Sequence, residues 1–73
     1  MAEVESSWHQ LAWVEVDERL EELNERLREH GFRSRFRITV DPYGWDVLFD
    51  DGGEPVIVDT VEYAERIVDE LCG

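Results

Sequence analysis

Few side chains in this 73-residue sequence are equipped for chemistry. The histidines are His9 and His30, the serines are Ser6, Ser7 and Ser34, and the only cysteine is Cys72. Nucleophilic catalysis needs a hydroxyl or thiol within reach of a positioned base, and no triad or dyad spacing occurs here. Cys72 reads as a small apolar contact of the last helix. A zinc site needs closely spaced Cys and His ligands, whereas His9 and His30 stand far apart with no ligand pair beside them. The run Asp50-Asp51-Gly52-Gly53-Glu54 has the acids of a calcium loop without the one-three-five spacing of an EF-hand. It reads as a solvated hairpin tip. No glycine-rich phosphate loop is present. Neither an enzyme nor a metal or cofactor site is expected.

What stands out is charge. Nineteen acidic residues face seven basic ones, a net charge of −12, and every basic residue is Arg. Such a field repels nucleic acid and anionic membranes and attracts basic surfaces. Glu15, Glu18, Glu22, Glu25 and Glu29 follow one another at steps of three and four, which sets them along one edge of a helix. Carboxylates then recur about every 5 Å, from a rise of about 1.5 Å per residue. Nucleic-acid phosphates present a comparable row. Glu15–Arg19 and Glu22–Arg26 are the pairs expected to offset part of the repulsion. Acidity also serves solubility, as in salt-loving organisms, and that alternative stays open at this point. The positive charge gathers in Arg33, Arg35 and Arg37.

Elements must hold these groups. Trp13, Val16, Leu20, Leu23 and Leu27 form the apolar stripe of an amphipathic helix. Ser7 and Gln10 have capping-box spacing, so the helix is expected to open at Ser7, with Asp17 as the competing cap. It should close at His30-Gly31. From Phe32 to Val40 apolar residues alternate with Arg33, Arg35, Arg37 and Thr39, a half-buried strand. Asp41-Pro42-Tyr43-Gly44 suits a type I turn and sets Val40 opposite Trp45, Ile38 opposite Val47 and Phe36 opposite Phe49. Gly52-Gly53 signals a two-residue hairpin and sets Phe49 opposite Val56 and Val47 opposite Val58. Both turns place the apolar partners on one face. Asp59 with Glu62 three residues on marks a second helix start, and Val61, Ala64, Ile67, Val68 and Leu71 form its apolar stripe. The expected class is α+β, in the order αβββα, with two helices on one face of a three-stranded antiparallel meander. Residues 7–73 form one domain behind a loose segment, 1–6.

The face of that sheet turned from the helices sets Arg35 beside Asp50, Arg37 beside Leu48, and Leu48 beside Ile57. Leu48 and Ile57 become apolar neighbours within a charged rim, a surface for self-association or for a partner. Trp8 is a further candidate for apolar contact with a partner.

The order αβββα over residues 7–72 resembles the double-stranded-RNA-binding domain. Pro42 and Gly44 lie in the matching first hairpin. That family uses a lysine-rich start of its second helix on RNA; the corresponding Thr60-Val61-Glu62-Tyr63-Ala64-Glu65 is acidic, which implies a protein-binding variant. In size, charge and lack of a catalytic motif the chain also looks like small acidic phage-encoded inhibitors, among them anti-CRISPR proteins and nucleic-acid mimics. The expectation is a non-enzymatic protein that occupies the basic surface of a nucleic-acid-handling protein. Glu15, Glu18, Glu22, Glu25, Glu29, Asp50, Asp51 and Glu54 would supply charge, and Leu48 and Ile57 apolar contact. No direct binding of nucleic acid or membrane is expected. The alternative is a small structural or regulatory homodimer. The N-terminus has neither the basic start nor the apolar run of a signal peptide, so a cytoplasmic setting is expected, the host's if the chain is phage-encoded.

Overall fold

The computed structural model describes residues 6–73. Its elements are a 3₁₀ turn (Trp8–Gln10), α1 (Trp13–Glu29), β1 (Arg35–Asp41), β2 (Gly44–Asp50), β3 (Val56–Ile57) and α2 (Val61–Cys72). The strands form an antiparallel meander in the order β1-β2-β3. Both helices lie on one face of it, so the fold is α+β in the order αβββα. The core joins Val16, Leu20, Leu23 and Leu27 of α1 to Phe36, Val47 and Phe49 of the sheet and to Val61, Ala64 and Val68 of α2.

Register follows the two turns. Val40 pairs with Trp45, Ile38 with Val47, Phe36 with Phe49, and Phe49 with Val56. Val58 donates its N–H to the Val47 carbonyl at 2.9 Å. The second hairpin differs from expectation in its loop. Pairing with β3 stops at Phe49–Val56, and residues 50–55 bridge to a strand of two residues. The Asp50 and Asp51 carboxylates accept the N–H groups of Gly52 and Gly53, each at 3.0 Å. Pro55 has no N–H to give to a ladder.

Helix starts are where the structure departs most. Ser7 does build a capping box: its hydroxyl accepts the His9 N–H at 3.2 Å, and Gln10 accepts the Ser7 N–H at 3.3 Å. It caps only the 3₁₀ turn. Leu11 and Ala12 are then extended, with ψ of 152° at both, and α1 begins at Trp13 with no side-chain cap. A continuous helix from Ser7 would have put Leu11 on the polar side. The break lets Trp8 enter the core, 1% exposed, on a path separate from the α1 stripe. Trp13, expected in that stripe, is 54% exposed.

At its other end α1 closes as expected. Gly31, at φ +81°, follows His30, and the N–H groups of Gly31 and Phe32 reach the carbonyls of Arg28 and Leu27 at 3.0 and 2.9 Å. This paired closure satisfies the last carbonyls. It also takes up Phe32, and β1 begins at Arg35 and not at Phe32.

The cap of α2 is Thr60, whose hydroxyl accepts the Tyr63 N–H at 3.2 Å, and not Asp59. Thr60 is extended because it bridges to Ser7. Of the segment expected to be loose, residues 1–5 lie outside the described residues. Ser6 is tied to α2: its N–H donates to Glu62 at 2.8 Å and its carbonyl accepts from Val61 at 2.9 Å.

The Glu62 carboxylate accepts its own backbone N–H and that of Ser6, which hold its pKa below the ordinary value of 4.5. A lowered folded-state pKa adds stability that is complete above the unfolded value and disappears as pH falls through the folded one. The stability difference between the native chain and Glu62→Gln should therefore be constant above about pH 5 and shrink below 4.5. Urea unfolding from pH 7 to about pH 3 reads it directly. A pH-independent difference would mean that the charged tie to Ser6 does not form.

Candidate functional site

α1 carries its carboxylates on the side turned from the core. Glu18, Glu22, Glu25 and Glu29 are exposed, and among the described residues none of them forms an ion pair. Glu15 is half-buried and sits 3.8 Å from Arg19. The expected Glu22–Arg26 pair is replaced. Arg26 reaches across to Asp69 of α2 at 3.0 Å, and Arg19 also approaches Glu65 at 3.8 Å. Helical geometry explains this, since positions 19 and 26 lie on the flank facing α2. The two cations are drawn off the ridge by acids of the other helix.

Glu21 belongs to the same surface, where Glu18, Glu21, Glu22 and Glu25 surround a shallow hollow. Reading only the steps of three and four from Glu15 passes over it. The signal was available, because Glu21 lies three residues after Glu18 and four before Glu25.

The loop acids sit elsewhere. Asp50 is on the outer sheet face, 3.4 Å from Arg37, and Asp51 turns back on its own loop. The Gly52 N–H, and then the Arg37 guanidinium, hold the Asp50 pKa below its ordinary value. Glu54 is exposed in the same loop. The α1 ridge and the outer sheet face point away from opposite layers, so the structure does not gather these acids into one surface. Leu48 and Ile57 are adjacent in register as expected, and Ile57 is 54% exposed.

The first hairpin carries an aromatic cluster that no sequence pattern announces. The rings of His9 and Trp13 pack on Trp45 at centroid distances of 4.3 and 4.6 Å. The His9 Nε2–H donates to the Trp45 carbonyl and lies 3.9 Å from Asp46. Beside them Tyr43 is fully exposed and Val40 is 76% exposed, although alternation placed Val40 on the core face. The hairpin simply extends past the helices that cover the rest of that face. A hollow of about 360 Å³ opens between His9, Asp41, Tyr43, Trp45 and Asp46. Trp8, offered by the sequence as a contact residue, is buried. The indoles that reach solvent are those of Trp13 and the half-buried Trp45. Val14, 69% exposed, stands in line with Glu18 and Glu21 on α1 and adds apolar surface at the start of the ridge.

No protein family, curated protein or solved structure matches this chain. Function must be argued from the surfaces. Among the described residues, no group of three or more His, Cys, Asp or Glu converges on a metal position. No helix there is long and apolar enough to cross a membrane.

Proposed function

We propose that this chain is a non-enzymatic acidic binding protein that inhibits a nucleic-acid-handling protein by occupying its basic surface, as anti-CRISPR proteins and nucleic-acid mimics do. The observation that carries the reading is the row Glu18, Glu21, Glu22, Glu25 and Glu29, without ion pairs among the described residues, with Arg19 and Arg26 committed to Glu15, Glu65 and Asp69. Like charges at this spacing cost a helix a few tenths of a kcal/mol per pair. A basic groove would turn that cost into attraction. Charge accelerates encounter, and buried aromatic anchors usually supply retention. Trp13, Trp45 and Tyr43 take that second role, in place of Trp8.

The test begins with capture of a partner from host or source lysate at about 0.1 M salt, where the Debye length is about 10 Å. Affinity for the purified partner is then compared for the native chain and the triple variant Glu18→Lys, Glu22→Lys, Glu25→Lys. The variant should bind at least about tenfold more weakly at low salt, with the gap narrowing as salt screens the charges. Equal affinity would sink the reading.

A second reading rests on Leu48 and Ile57. The half-buried Leu48 of the central strand and the exposed Ile57 of the two-residue edge strand form an apolar pair, a surface suited to a homodimer. Sedimentation separates the two readings, because a dimer through this face would be dissociated by Leu48→Glu.

A further inference from the structure

The seven Arg of this chain face nineteen acids, so each could be matched several times over. Arg19, Arg26 and Arg37 are matched. Arg28, Arg33 and Arg35 are not: among the described residues none of them forms an ion pair, and all three line one hollow of about 370 Å³ with Asn24, Phe32 and Ser34. Arg35 lies opposite Asp50 in register, yet the Asp50 carboxylate is in contact with Arg37 and feels Arg35 more weakly. In a chain rich in carboxylates, three arginines thus line one hollow.

We propose that this hollow, between the end of α1 and the start of β1, binds a small phosphate ester. The guanidinium fork matches phosphate oxygens in geometry and charge, and several forks together favour a multiply charged group. The Ser34 hydroxyl is a further donor, and the half-buried Phe32 ring gives the ligand's body an apolar wall. The frame is held from both sides. Asn24 grips Phe36 by two hydrogen bonds of 2.7 and 3.0 Å, and the helix closure fixes Phe32 to Leu27 at 2.9 Å. One effect opposes binding: a helix C-terminus carries about half a negative charge. Phe32 and Gly31 already take the Leu27 and Arg28 carbonyls, and the positive charges of the lining arginines oppose the remainder.

The surroundings limit the ligand's size. Glu25 and Glu29 lie three residues before and one after Arg28, within the Debye length of about 8 Å at physiological salt. Both repel an anion in the hollow, and they repel a long polyanion that continues past them more than a compact phosphate ester. The hollow's arginines are distinct from the ridge carboxylates, so binding there stands whether or not the chain is an inhibitor.

Backbone amide NMR of the whole chain tests it, with inorganic phosphate, AMP and adenosine as probes at constant ionic strength. Phosphate and AMP should shift the amides of residues 32–36 saturably, and adenosine should not. Arg28→Gln with Arg33→Gln should weaken AMP binding at least about tenfold, in keeping with the loss of charge-assisted bonds, while Arg19→Gln leaves it unchanged. If the double variant loses its dispersed spectrum, Arg35→Gln serves the same purpose. Three results would overturn the proposal: no saturable shift, equal shifts with adenosine, or binding indifferent to the hollow's Arg. A concentration-dependent dimer abolished by Arg28→Gln would also overturn it, assigning the hollow to carboxylates of a second copy.

Discussion

Trp8→Ala is expected to remove a large share of the chain's folding stability at room temperature. Trp8 is 1% exposed and belongs to the main core cluster. Truncating a buried Trp to Ala typically costs about 3–5 kcal/mol, because the surroundings close only part of the cavity. A domain of this length has a total stability of roughly 4–11 kcal/mol, from about 0.05–0.15 kcal/mol per residue. The loss would spread beyond the cavity. The 3₁₀ turn holds Ser6 and Ser7 against the start of α2 and His9 against Trp45, and all of these contacts depend on Trp8 staying seated. Trp8→Phe separates volume from polarity. The indole N–H is buried without a hydrogen-bond partner among the described residues, and such a group costs about 1–3 kcal/mol. Phe removes that burden while keeping most of the ring, so it should be far milder than Ala. Urea denaturation compares the three chains. A Trp8→Ala midpoint near the native one would show that the N-terminal turn is not part of the core.

This residue also shows where the sequence was readable. Alternation through β1 and the two turn signals agreed on a single face, and one-residue slips would have buried Arg37 or Asp46. That internal redundancy made strand register legible. The helix starts lacked it. Ser7 is a good cap in any local reading, but the path of the chain beyond it depends on where Trp8 can be buried, and residues of α2 and β2 decide that. The candidate site divides in the same way. Glu18, Glu22, Glu25 and Glu29 depend only on helical period and lie where they were expected. The diversion of Arg26 to Asp69, the clustering of Trp13 with Trp45, and the convergence of Arg28 with Arg33 and Arg35 arise only when distant segments meet.

Asn24 is the strongest case of a residue whose role could not be read locally, and its replacement carries the second large effect. In the sequence it is one polar residue on a charged helix. In the fold its amide meets the edge of β1 as another strand would: Oδ1 accepts the Phe36 N–H at 2.7 Å and Nδ2 donates to the Phe36 carbonyl at 3.0 Å. One side chain thus fixes α1 to the sheet and covers two backbone groups that an edge strand would otherwise expose to pairing with another chain. Asn24→Ala should cost about 2 kcal/mol, since partly buried backbone groups lose their partners. Asn24→Asp is the sharper probe. At neutral pH it keeps the bond from the Phe36 N–H but turns a carboxylate oxygen toward the Phe36 carbonyl, where two acceptors repel. Protonation restores a donor. The folded-state pKa of the introduced carboxyl is then raised, so the lost stability returns as pH falls toward that value. Relative to the native chain at each pH, Asn24→Ala should be destabilised evenly, and Asn24→Asp should recover on acidification. Parallel pH profiles for the two variants would mean that the amide acts by packing alone and not as a surrogate strand.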